Sequence, residues 1–89
     1  MAKGKIYGVP PEQSLVTLQA VSNVFVILRD AGDDVQEIHE LKIGEAYRAP
    51  MDGGLAIDVT APSAVEVYVG GIYKGRLTQS VNKISALAK

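Results

Sequence analysis

The chain has 89 residues, 47% hydrophobic and 21% charged, with nine Lys plus Arg against ten Asp plus Glu and a net charge of −1. That length supports one hydrophobic core and excludes two independent domains. The basic residues are spread along the chain, which argues against a nucleic-acid partner, and the absence of cysteine excludes a disulfide framework or a thiolate metal site.

The opening "MAKGKIYGVPPEQ" has two lysines but no apolar stretch behind them, so it does not read as a secretory signal. Residues 1–13 are expected to be a linker or a cloning scar, and residues 14–89 a single β domain. Val16, Leu18 and Ala20 alternate with Thr17 and Gln19, the period of a half-buried strand. Val24 to Leu28, "VFVIL", is the longest run without a polar residue in the first half, far short of the roughly 20 that span a bilayer. Its continuity predicts a strand covered on both faces, with Phe25 central to the core.

The next segment, "DVQEIHELKI", admits two readings. Val35, Ile38 and Leu41 are three apart and Asp34 with Glu37 has capping-box spacing, which favours a short helix. A strand returning from the "DAGDD" turn, with a bulge, fits the preceding strand better, because so short a helix needs strong packing. In "LKIGEAYRAP", Leu41 ends a strand, Gly44 permits a tight turn, Tyr47 faces inward and Pro50 stops pairing. Leu55, Ile57 and Val59 then alternate with Ala56, Asp58 and Thr60, as do Val65, Val67 and Val69 with Glu66 and Tyr68. Turn residues separate these runs at "DGG", Asp52 to Gly54, and "APS", Ala61 to Ser63. In "VYVGGIYK", Gly70-Gly71 predicts a two-residue hairpin turn that pairs Val69 with Ile72 and Tyr68 with Tyr73.

The fold class expected is all-β, a small antiparallel β-sandwich or open barrel of about seven short strands. Its core is expected to contain Leu18, Phe25, Leu28, Leu41, Tyr47, Ile57 and Val67.

Catalytic, metal-ligating and cofactor-binding sites are not expected. His39, the one histidine, lies between Glu37 and Glu40 on a polar stretch read as exposed. Asp30, Asp33 and Asp34 lack the spacing and distal Glu of an EF-hand and read as a solvated turn. Gly70, Gly71 and Gly75 lack the Lys-Ser/Thr pair of a phosphate loop. Carboxylates such as Glu45 with Asp52 or Asp58 have no spacing that marks an acid/base pair. The candidate interaction patch is Tyr68 and Tyr73 with Lys74 and Arg76. Two amphipathic rings beside two cations suit contact with a protein or a glycan. The same rings also suit a cross-strand pair worth about 0.2 to 1 kcal/mol to the sheet.

"LKIGEAYRAP" also resembles the L-x-x-G-E-x-Y-x-x-P signature in the C-terminal domain of RodZ-like bacterial cell-shape proteins. The likeness runs from about Val16 to Leu87. "LQAVSNVFVILRDAG" is similar to the family segment with a tryptophan-centred strand, and Phe25 stands in the tryptophan's place. "GGLAIDVTAPSAVEVYVGG" is similar to the strand, loop and strand that lead into a glycine hairpin. Ala61-Pro62-Ser63-Ala64 departs from the Gly-Asn-Ala-Gly often found in that loop.

The resemblance implies a non-enzymatic periplasmic domain of an inner-membrane protein that contacts the cell-wall-synthesis proteins. The full-length protein would be membrane-anchored and reach the actin-like MreB through another domain. The alternative function is a small carbohydrate-binding module for peptidoglycan. One Phe and four Tyr leave few rings for a glycan platform once Phe25 and Tyr47 are assigned to the core.

Overall fold

The computed structural model describes residues 4–51 and 53–88. Its strands are β1 (Ile6–Gly8), β2 (Val16–Ala20), β3 (Val24–Arg29), β4 (Val35–Leu41), β5 (Ala46–Arg48), β6 (Ala56–Val59), β7 (Val65–Val69), β8 (Ile72–Arg76) and β9 (Val81–Lys83). One helical turn, α1 (Ile84–Leu87), follows. The strands form two sheets, one ordered β1-β5-β2-β7-β8 and the other β4-β3-β6-β9. All pairings are antiparallel except β1 with β5.

The protein is therefore a small all-β sandwich. The nine strands among the described residues exceed the expected number through β1 and β9, three residues each and too short to show a period. Ile6–Gly8 falls within the stretch read as a linker, yet it pairs with Ala46–Arg48. The local sequence "IYG" has no alternation to announce it. Met1–Lys3, also in that stretch, lie outside the described residues, as does Asp52 of the "DGG" turn.

Period-two alternation sends one side chain in two between the sheets. Leu18, Leu41, Tyr47 and Ile57 have no accessible surface, and Leu28 and Val67 are nearly as enclosed. Phe25 is not in this core. It is 44% exposed, whereas Val24, Val26 and Leu28 are buried. The sheet that contains β3 is covered on one face only, so the alternate residues Phe25 and Ile27 lie on its outer side. Continuity of apolar residues in "VFVIL" therefore does not mean burial on both faces.

"DVQEIHEL" is the bulged strand that returns from the "DAGDD" turn, and not the short helix that its spacing also allowed. β4 pairs with β3 from Val24↔Leu41 to Leu28↔Glu37, and the register then shifts so that Arg29 faces Val35. Gln36 is the extra residue of a β-bulge. Asp34 does not cap a helix; its N–H donates to Asp30 Oδ1 at 3.0 Å, and the N–H of Asp30 donates to the Asp34 carbonyl at 2.9 Å. Pairing with β4 satisfies the backbone groups along this edge of β3, which a helix of two turns beside it would leave open.

Candidate functional site

The β7–β8 hairpin forms as its sequence requires. Gly70 and Gly71 have φ of 58° and 84°, the left-handed values that a type I′ turn demands at both central positions. Val69 pairs with Ile72 and Tyr68 with Tyr73. The two tyrosine rings are 5.5 Å apart at a tilt of 55°. Tyr73 is 51% exposed and neighbouring Ile72 64%. Partial burial, and then the Glu66 carboxylate, push the Tyr68 hydroxyl above the usual phenol range.

Beyond the tyrosines the ladder shifts. Val67 pairs with Gly75, which leaves Lys74 as the extra residue of a bulge. Gly75 has φ of 101°, a conformation that L side chains rarely adopt. Lys74 and Arg76 line a cleft of about 310 Å³ together with Val67, Leu77, Asn82 and Leu87. Arg76 Nη1 donates to the Ser63 carbonyl at 3.3 Å. The four residues of the expected patch thus make two adjoining surfaces: a tyrosine pair, and a cationic cleft between β8 and the β9–α1 end of the chain. The bulge that places Lys74 has no signature in "IYKGR" beyond the glycine.

A second cluster joins the two sheets at the opposite edge. His39 is opposite Val26 in the register and points inward, with its side chain 22% exposed. Its ring sits between Tyr7 of β1 and Tyr47 of β5, each centroid 5.1 Å away. His39 Nε2 is 2.8 Å from Glu37 Oε1, which requires the proton on Nε2 when the imidazole is neutral. The Tyr47 hydroxyl donates to Glu37 Oε2 at 3.5 Å. Burial, reinforced by the Glu37 charge, raises the Tyr47 phenol far above its ordinary range. The expectation of an exposed His39 is therefore corrected. Glu37, His39 and Leu41 alternate inward along β4, but their inner partner Tyr7 comes from the presumed linker. With both oxygens of Glu37 engaged and rings on both sides of His39, the cluster braces the sandwich edge.

The acidic residues have structural partners. Asp30 Oδ1 accepts from the N–H groups of Gly32 and Asp34, and its Oδ2 accepts from Gln36 Nε2 at 2.8 Å. Glu45 Oε1 accepts from the N–H of Lys42 at 2.9 Å and closes the turn at Gly44, whose φ is 87°. Asp58 is 3.7 Å from Arg29. The described residues contain no group of three or more His, Asp or Glu placed to hold a metal ion, and no helix among them is long and apolar enough to cross a membrane. Comparison with known protein families, with curated proteins and with solved structures returns no match for this chain.

Proposed function

We propose that this chain is a non-enzymatic protein-interaction domain of a membrane-anchored, RodZ-like cell-shape protein, which acts in the periplasm on cell-wall-synthesis proteins. The order and spacing of "LQAVSNVFVILRDAG", "LKIGEAYRAP" and the glycine hairpin support the family assignment. The observation that carries the contact role is the exposed tip of the β7–β8 hairpin, where Ile72 and Tyr73 stand clear of the sheet beside Tyr68. Exposed aromatic and aliphatic side chains held on a rigid hairpin are the kind of anchor on which protein interfaces depend. The tilt of 55° between the rings weighs against the carbohydrate-binding alternative, since a glycan platform needs faces that present one plane.

The test is photo-crosslinking in cells from position 68 or 73 of the full-length protein, with Asp33, whose side chain is 87% exposed in the β3–β4 turn, as reference position. Strong crosslinks to a wall-synthesis protein from the tyrosine positions and weak ones from position 33 are expected. Equal yields at all three positions, or none at the tyrosines, would remove the hairpin as the contact.

A further inference from the structure

The cleft between β8 and the β9–α1 end has a chemistry that the tyrosine pair does not share. Lys74, Arg76, Thr78 and Asn82 supply its polar rim, and Val67, Leu77, Ala86 and Leu87 its apolar lining. No carboxylate among the described residues lines it. Among the described residues neither cation is in an ion pair, although Glu66 is opposite Arg76 in the ladder. The Glu66 charge also helps to raise the Tyr68 phenol. The Arg76 guanidinium gives one N–H to Ser63 and keeps the others. Two cations thus line the cleft without an ion pair among the described residues, and the one carboxylate in the β7–β8 ladder is Glu66, opposite Arg76.

We infer that this cleft binds an acidic, extended peptide segment of a partner protein, with its carboxylates on Lys74 and Arg76 and an intervening aliphatic side chain against Ala86 and Leu87, below which Val67 and Leu77 are buried. Charge complementarity selects the acidic class, and the apolar floor favours a peptide over a simple polyanion. At about 310 Å³ the cleft is at the lower end of the range for ligand pockets, roughly 300 to 1,000 Å³, which suits a short piece of chain. β8 is an edge strand. Its bulge at Lys74 and the left-handed Gly75 interrupt the regular ladder along that edge, a device that disfavours sheet extension. The segment is therefore held by side chains and not as an added strand. This site shares Lys74 and Arg76 with the surface proposed above but does not need the tyrosines.

The test uses end-blocked, fluorescein-labelled peptides of alternating Glu and Val, alternating Gln and Val, and alternating Lys and Val, titrated by anisotropy against the 89-residue chain, with amide chemical shifts followed in parallel. The Glu–Val peptide should bind best and shift the amides of Lys74, Arg76, Leu77, Asn82 and Leu87. K74Q/R76Q should weaken it at least tenfold without changing the melting temperature, and K74E/R76E should prefer the Lys–Val peptide. Tyr68→Ser/Tyr73→Ser should leave peptide affinity unchanged, so failed crosslinking at the tyrosines together with intact peptide binding would discard the contact surface and keep the cleft. Binding of the Gln–Val peptide as tightly as Glu–Val, equal affinity for a single-stranded oligonucleotide of matched charge, or shifts confined to other surfaces would overturn the inference.

Discussion

Tyr47 and Phe25, both expected in the core, part company in the structure. Both are aromatic residues within strands, but Tyr47 has no accessible surface and Phe25 is 44% exposed. Tyr47→Ala should therefore cost about 3 to 5 kcal/mol, as for a large core side chain, while Phe25→Ala should cost no more than about 1 kcal/mol, the scale of a cross-strand contact on an open face. Urea midpoints of the two variants measure this, and a larger loss at Phe25 would place its ring in the core. Tyr47 also sets a pH dependence. Its phenol is raised in the folded state, so an unfolded chain loses this proton first, at about pH 10. Above that pH the unfolded state binds fewer protons, and stability falls with rising pH by up to about 1.4 kcal/mol per unit from this group, with no contribution below it. Tyr47→Phe removes the dependence. The stability difference between wild type and Y47F should be flat up to about pH 9 and shrink above pH 10; the shifted Tyr68 is common to both proteins and cancels. The inward orientation of Tyr47 was legible in "LKIGEAYRAP". The outward orientation of Phe25 was not, because a continuous apolar run carries no phase.

At the scale of the element, local chemistry explains the hairpin completely and the β3–β4 pair only in part. Gly70-Gly71 between β-branched and aromatic neighbours dictates one turn type, and the register follows. Asn, like Asp, is readily accepted in a type I′ turn, so Gly70→Asn should leave stability within about 1 kcal/mol of wild type. Gly70→Val, forced to φ near 58°, should lose about 1 to 2 kcal/mol. Thermal melts of the two variants give the comparison, and equal melts would mean that the turn relaxes to another type. In "DVQEIHEL" the bulge at Gln36 puts Val35 and Ile38, three apart, on one exposed face, whereas Leu41 points inward, so the three-residue spacing that imitates a helix joins residues of both faces. A strand's partner decides such a bulge, not its own residues. The same holds for Lys74 in β8, which is why the cationic cleft could not be anticipated from the spacing of Lys74 and Arg76.

For the whole molecule, the decisive element is the one with least sequence signal. β1 is three residues long, yet its Tyr7 covers His39 and thereby closes the edge of the sandwich at the Glu37–His39–Tyr47 brace. The Lys5 ammonium lies 5.0 Å from the centre of the Tyr7 ring. Two backbone bonds fasten the segment at its ends, from Ala46 N–H to the Lys5 carbonyl at 3.0 Å and from Val9 N–H to the Arg48 carbonyl at 3.2 Å. Gly8 permits this close approach, with φ of 96° and an α-carbon so near Arg48 that a Cβ would collide with its backbone carbonyl. A true linker has no such dependence. Chains starting at Pro10 should be destabilised by about 1 to 3 kcal/mol, from the exposed faces of Tyr7's partners and the orphaned Ala46 N–H. Gly8→Ala, which keeps every side chain of β1 but cannot lie against Arg48, should reproduce most of that loss. In both variants the Ala46 amide should exchange with deuterium faster relative to amides of β3 and β6, which are remote from the edge. An unchanged urea midpoint together with unchanged Ala46 exchange in the truncated chain would return residues 1–9 to the status of a linker, and would leave His39 braced by Glu37 and Tyr47 alone.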